Sequence, residues 1–201
     1  MNKEEIISYF NLSKNQAEKI EYFISKICNF NKHTNLIGKS TIENIWDRHV
    51  LDCLQFSKYV HEKQLKIFDL GTGAGLPGVL LSIIGFKNVL MVDSVNKKTD
   101  FIKEVIIDLS LSAKVENKRI EKIKVAKQDV IVSRALAPLS KLLTYALMHS
   151  KKNTTLLFLK GRSVNNEINI AMKSFNFDFE KFESISVGDG CVLKIKNFIK
   201  K

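Results

Sequence analysis

The chain has 201 residues, 45% hydrophobic and 26% charged, a composition that excludes a disordered polymer and fits one globular unit with an appendage. No apolar run approaches a membrane span, and Met1-Asn2-Lys3-Glu4-Glu5 lacks a secretory signal's apolar core, so a soluble cytoplasmic protein with no membrane partner is expected. The formal net charge of +11 is spread along the sequence and favours a polyanionic partner, because each neutralised phosphate releases counterions.

The first 62 or so residues read as helical. Ser13-x-x-Gln16 forms a capping-box pattern, and Ile20, Phe23, Ile24, Ile27 and Phe30 follow at helical spacing. A second helix is expected to open at Ser40-x-x-Glu43 and to carry Ile45, Trp46, His49, Val50, Cys53, Leu54 and Phe56. Between them lies the polar loop Asn31-Lys32-His33-Thr34-Asn35. His49 and Asp52 stand one turn apart on one face, a spacing that suits an oriented, structural histidine.

From Lys66 strands and helices alternate. Lys66–Leu70 reads as a strand, Leu76–Ile84 as a helix with Pro77 in its first turn, and Asn88–Val92 as a strand ending at Asp93. Asn96–Leu109 is an amphipathic helix, Ala113–Glu116 and Asp129–Ser133 are strands, Leu139–Met148 is a helix and Thr154–Leu159 a buried strand. A polar helix over Val164–Lys173 precedes two strands, Phe177–Val187 and Cys191–Phe198, joined by Gly188-Asp189-Gly190 as a hairpin turn. The order implies an α/β domain over 63–201 with a mostly parallel sheet closed by an antiparallel pair, and a helical segment over 1–62 packed on it. The three cysteines, Cys28, Cys53 and Cys191, are widely spaced and accompanied by no histidine cluster, so reduced thiols and no metal site are expected.

The glycine turn after the first of these strands points to a ligand. Gly73-x-Gly75-x-x-Gly78 matches the dinucleotide fingerprint literally, and a purely structural strand-to-helix turn is the bland alternative. Asp69 separates the ligand readings: a pyrophosphate would meet a like charge there, whereas a sulfonium and an ammonium would be attracted. Asp69-x-Gly71-x-Gly73-x-Gly75 is thus similar to motif I of class I methyltransferases, which bind S-adenosylmethionine. Ligands of open α/β sheets lie at the carboxyl ends of the strands. There, Asp93 could accept both hydroxyls of a ribose, or cap the following helix. Ile120 and Glu121 suit an adenine edge, or form a solvated turn. Arg134 could grip a carboxylate or phosphate, and Lys160 and Arg162 add cations that suit a substrate phosphate or merely a basic loop.

These stretches together resemble one family, the bacterial ribosomal RNA small subunit methyltransferase G family, also called glucose-inhibited division protein B. The resemblance rests on Asn31-Lys32-x-x-Asn35-Leu36, Arg48-His49-x-x-Asp52, Asp69-x-Gly71-x-Gly73-x-Gly75-Leu76-Pro77-Gly78 and Val92-Asp93-Ser94. It continues through Lys97-Lys98, Arg119-x-Glu121, Asp129-Val130-x-x-Ser133-Arg134-Ala135 and Lys160-Gly161. It implies a class I, Rossmann-like methyltransferase fold, S-adenosylmethionine as cofactor, and methyl transfer to N7 of one guanine in the decoding region of 16S ribosomal RNA. Cofactor contacts would fall on Gly71, Leu76, Ile120, Glu121 and Arg134, beside the Asp69, Gly73, Gly75 and Asp93 read from the turn itself. Asn35, His49, Lys160 and Arg162 become candidate substrate contacts on the small ribosomal subunit, and a monomer is expected. Guanine N7 offers a lone pair and loses no proton, so no general base is needed and Arg134 is assigned a positioning and electrostatic role.

Overall fold

The computed structural model describes residues 1–201. A seven-stranded sheet runs in the order β3-β2-β1-β4-β5-β7-β6. Its strands are β1 (Lys66–Leu70), β2 (Asn88–Asp93), β3 (Ala113–Asn117), β4 (Gln128–Arg134), β5 (Ser150–Lys160), β6 (Phe175–Glu183) and β7 (Cys191–Lys200). The strands from β3 across to β5 are parallel, and β7 lies antiparallel between β5 and β6. Because the central strands are apolar on both faces, they feed two cores. In β4, Val130 and Val132 enter one core and Ile131 the other, and in β5 Leu157 and Leu159 alternate with Leu156 and Phe158. Such unbroken apolar strands fit only a sheet covered on both sides.

One face carries α1 (Lys3–Tyr9), α2 (Lys14–Asn31), α4 (Gly78–Ile83) and α5 (Asn96–Asp108); the other carries α6 (Leu139–His149) and α7 (Val164–Ala171). Helix α2 starts where the sequence indicates, since Ser13 and Gln16 form both bonds of the capping box. Its apolar stripe, Ile20, Phe23 and Ile27, shares a core with Val79 and Leu80 of α4 and Ile102 of α5. The N-terminal segment is therefore built into the sheet's own core. No helix is long and apolar enough to cross a membrane.

Three expectations are corrected. The helix expected from Ser40 does not form: Lys39–Thr41 is a short 3-10 turn, and the helical run begins as a π-helical turn over Trp46–Leu51 that passes into α3 (Asp52–Leu54) and a 3-10 turn over Gln55–Tyr59. Gly38 takes the cap position, and the Thr41 hydroxyl turns back to donate to the Gly38 carbonyl at 2.6 Å. Helix α4 begins at Gly78, with Pro77 at its cap, where the N–H that proline lacks leaves no gap in the helix's own hydrogen bonds. Strand β6 stops at Glu183 and gives way to a loop over 184–190, so Gly188-Asp189-Gly190 is the end of a longer excursion. The loop's polar groups bond to side chains of the N-terminal segment instead of to a facing strand.

Phe23 is fully buried and stacks on Phe101 with ring centroids 6.4 Å apart, while Glu18 lies on the exposed side of the same helix. Phe23→Ala is expected to cost about 3–5 kcal/mol in urea denaturation, whereas Glu18→Ala should stay within about 0.5 kcal/mol.

Candidate active site

At the end of β1 the chain turns through Gly71 (φ +65°) and Gly73 (φ +59°). The left-handed backbone exposes the Gly73 N–H, which donates to Asp93 Oδ2 at 3.0 Å; the other carboxylate oxygen accepts the Val95 N–H at 2.9 Å. Asp93 thus ties the end of β2 to the glycine turn and also braces the entry to α5, whose cap position is Val95. Each oxygen keeps a second lone pair for a ligand. A Cβ at Gly73 would meet open space, whereas one at Gly71 would stand 2.4 Å from Leu136 Cδ1.

Leu76 lines the cleft as expected, whereas Asp69 and Gly75 do not. Asp69 is fully buried beneath it, accepting the Gly78 N–H at 2.9 Å through Oδ2, while its Oδ1 and the buried Thr72 Oγ1 have no partner. Burial pushes the Asp69 carboxyl up to about 7. A Cβ at Gly75 would stand 2.6 Å from Val79 Cγ2 and 3.5 Å from the Phe23 ring, so this glycine lets the turn pack against α4 and α2.

Two cavities flank Leu136. One, of about 260 Å³, is lined by Gly71, Gly73, Leu76, Asp93, Lys98 and Arg134. Leu36 and Ile37 complete its wall, and their N–H groups are held at 2.7 and 3.0 Å by the buried Asn31 Oδ1. The other, of about 230 Å³, is lined by Asp93, Ile120, Glu121, Lys141 and Tyr145. Its Glu121 carboxylate accepts the Tyr145 hydroxyl at 3.0 Å and is held below the usual range by its own backbone N–H and by that hydroxyl. Gly71, Asp93 and Leu136 belong to both cavities, forming one cleft along the carboxyl ends of β1, β2 and β4.

Arg134, at the end of β4, stands at the edge of this cleft with its guanidinium held by the π-helical turn. Nη1 donates to the Arg48 carbonyl at 3.2 Å and to Asp52 Oδ2 at 3.3 Å, and Nη2 donates to His49 Nδ1 at 2.6 Å. Burial opposes its charge, but Asp52 and Asp69 nearby hold its pKa above the usual arginine value. His49 Nε2 lies 2.6 Å from Thr41 Oγ1, whose own hydrogen goes to Gly38. His49 must then accept from arginine at Nδ1 and donate to threonine at Nε2, a neutral tautomer. Desolvation, followed by the charges of Arg134 and Arg48, lowers its pKa to about 3. His49 and Asp52 do not form the pair that their spacing suggests; each bonds Arg134 instead.

Arg134 also lines a third and larger cavity, of about 700 Å³, together with Arg48, Asp52, Lys160, Arg162 and the loop residues Ser186–Gly190. Lys160 is largely spent: its ammonium bonds Glu167 at 2.5 Å and the Ala137 carbonyl at 3.1 Å, with 8% of the side chain exposed. Arg162, 86% exposed, pairs with Asp189 across the mouth. Asn35 is exposed and lies apart, with Leu36–Lys39 around a separate shallow cavity. Four side chains from the N-terminal segment anchor the 184–190 loop. The Gln55 amide donates to Ser184 Oγ at 2.9 Å and Asp52 accepts the Ser186 hydroxyl at 3.0 Å; Asp47 accepts the Val187 N–H at 2.9 Å, and Arg48 donates to the Val187 carbonyl at 2.7 Å. Sequence reasoning gave no role to Thr41, Asp47, Arg48, Gln55, Leu136 or Tyr145. Only Arg48 carried a signal, its place beside His49-x-x-Asp52.

Comparison with known proteins identifies the fold and the family. Among solved structures, a ribosomal protein L11 methylase from Lactobacillus delbrueckii subsp. bulgaricus shares the fold, with a TM-score of 0.62 at 21% identity over 75% of this chain and 78% of that one. The ribosomal RNA small subunit methyltransferase G of Paramagnetospirillum magneticum is 32% identical over 98% of this chain and 96% of its own length. That of Rickettsia prowazekii is 37% identical over 91% and 95%. The family model described as rRNA small subunit methyltransferase G matches residues 16–192. The chain has the class I methyltransferase fold and belongs to the rRNA small subunit methyltransferase G family.

Proposed function

We propose that this protein transfers the methyl group of S-adenosylmethionine to N7 of a guanine in 16S ribosomal RNA, acting on the small ribosomal subunit. The observation that carries the reading is that Arg134 lines both the Gly71–Asp93 cleft and the 700 Å³ cavity. One side suits a nucleoside-linked methyl donor and the other a nucleotide.

The cleft fits the donor. Gly73 leaves space beside its backbone, Asp93 retains acceptor capacity for a ribose, and Ile120 and Glu121 line the far end for adenine. When bound, the donor supplies an electrophilic methyl on a sulfonium. The chain's own work is alignment and electrostatics. Guanine N7 attacks in the plane of the ring without losing a proton, so the neutral, fully engaged His49 serves as a brace for Arg134 and not as a base. Asp52 neutralises much of Arg134's charge, so the positive charge that develops on the purine meets an ion pair and not a bare cation. Around both openings Lys98, Lys118, Arg119, Lys141, Arg48 and Arg162 make a cationic rim suited to RNA phosphates.

Transfer of tritiated methyl from S-adenosylmethionine into 16S ribosomal RNA, followed by mapping of the modified base, tests the reading; label absent from guanine N7 would refute it. In the same assay Arg134→Ala should lower turnover about 100-fold with an unchanged circular dichroism spectrum. Arg134→Lys should not rescue it, because a single ammonium cannot serve the three acceptors that the guanidinium spans.

Asp93→Ala removes the acceptor of two N–H groups and the ribose site together. Calorimetry should show S-adenosylmethionine binding weakened at least about tenfold; unchanged affinity would remove Asp93 from the site.

The pH dependence separates two groups. Asp69, raised to about 7 by burial, is neutral below that value and anionic above it, and only the anion attracts a cationic donor. Affinity should therefore rise by about three- to tenfold from pH 6 to 8, and Asp69→Asn should flatten the profile. His49, lowered to about 3, stays neutral throughout, so turnover at saturating donor should show no step near pH 6.5.

A further inference from the structure

The loop over 184–190 holds a feature that methyl transfer itself does not use. Val187 exposes 67% of its surface, and among the large exposed hydrophobic side chains it is the one that lines the 700 Å³ cavity. Its backbone is nevertheless fixed on both sides by charged side chains of the π-helical turn. Asp47 takes its N–H at 2.9 Å and Arg48 its carbonyl at 2.7 Å. Two adjacent ionic residues thus hold one apolar side chain out into solvent, beside the cations Arg48 and Arg162.

Such an arrangement has a use if the substrate is RNA. Guanine N7 lies on the major-groove edge of the base, and the major groove of an RNA helix is too deep and narrow for protein groups to enter. Arg134 sits recessed, with 17% of its side chain exposed, so the target base has to leave its stack to reach the boundary between cavity and cleft. Unstacking costs a few kcal/mol per step, and proteins that pay it commonly fill the gap with an apolar side chain. We propose that Val187 is that wedge: presented rigidly at the cavity mouth, it occupies the space next to the target guanine in the RNA stack. The proposal rests on the methyl-transfer reading above and names the residue that gives the enzyme access to a stacked base.

The test begins with mapping of the guanine methylated in 16S ribosomal RNA by the wild-type protein. 2-Aminopurine, which brightens on unstacking, is then placed next to that guanine in an RNA hairpin of the same sequence. Wild-type protein should raise the fluorescence. Val187→Ala should bind the hairpin within about threefold of wild type, through the unchanged phosphate contacts. It should lose most of the fluorescence rise and about tenfold in kcat/KM on the hairpin, with less than about twofold lost on a single-stranded oligonucleotide. Val187→Leu, which keeps an apolar wedge, should retain both signals. No rise with wild type, an equal rise with Val187→Ala, or equal kinetic losses on hairpin and single strand would overturn the wedge. Absence of methyl transfer to any 16S ribosomal RNA by wild type would overturn the underlying reading, and the wedge with it.

Discussion

The guanidinium of Arg134 is the interaction on which the site depends. It joins the end of a central strand to the Arg48 carbonyl and His49, within one widened helical turn, and to Asp52, which caps that turn. A π-helical turn is uncommon and concentrates at functional sites. Here it lets a backbone carbonyl, an imidazole and a carboxylate converge on one planar group. Charge-assisted bonds of this kind contribute about 1.5–3 kcal/mol each, yet burying the ions costs several kcal/mol. Stability is therefore a poor explanation for the cluster. Position is a better one, since a five-donor fork held by three acceptors has little freedom left.

The same turn reaches outward. Asp52 accepts Arg134 through Oδ2 and Ser186 through Oδ1, so one carboxylate links the boundary of the cleft to the loop that walls the larger cavity. Asp47, Arg48 and Gln55 add the remaining ties. The Thr41 hydroxyl, relaying from His49 to the Gly38 carbonyl, extends the chain toward the Leu36–Ile37 wall that Asn31 holds. The N-terminal segment therefore borders the cleft, the boundary and the cavity at once.

What was legible in the sequence follows from range. The glycine turn, Asp93 and Arg134 are strand-end features, and a strand end is marked by a local change from an apolar run to polar or glycine residues. Their convergence follows from βα order alone. Residues 40–56 depart from the expected helix although Trp46, His49, Val50, Cys53 and Leu54 fall at the three- and four-residue spacings of a 3.6-residue helix; periodicity does not distinguish an α turn from a π turn over so few residues. The clamp on the 184–190 loop joins residues about 130 to 140 positions apart, and no local pattern encodes such a pairing. Lys160 shows the converse limit. Its charge was plain in the sequence, but Glu167, which neutralises it, lies on the next helix and is also committed to Ser163 and to the Leu139 N–H.

The net charge of +11 acquires a different meaning once these pairs are set aside. Lys160 and Arg134 are matched by acids within the fold, and their charges serve geometry. The cations that remain for a polyanion are the exposed ones around the openings, such as Arg119, Lys141 and Arg48. Exposed lysines interact weakly with anions one by one and are screened by salt, so affinity for RNA has to come from many of them at once. Specificity cannot come from that source, because phosphate contacts carry no sequence information. It has to arise where the backbone is rigid and the surface is not uniformly polar: at the boundary set by Arg134 and along the clamped loop opposite it.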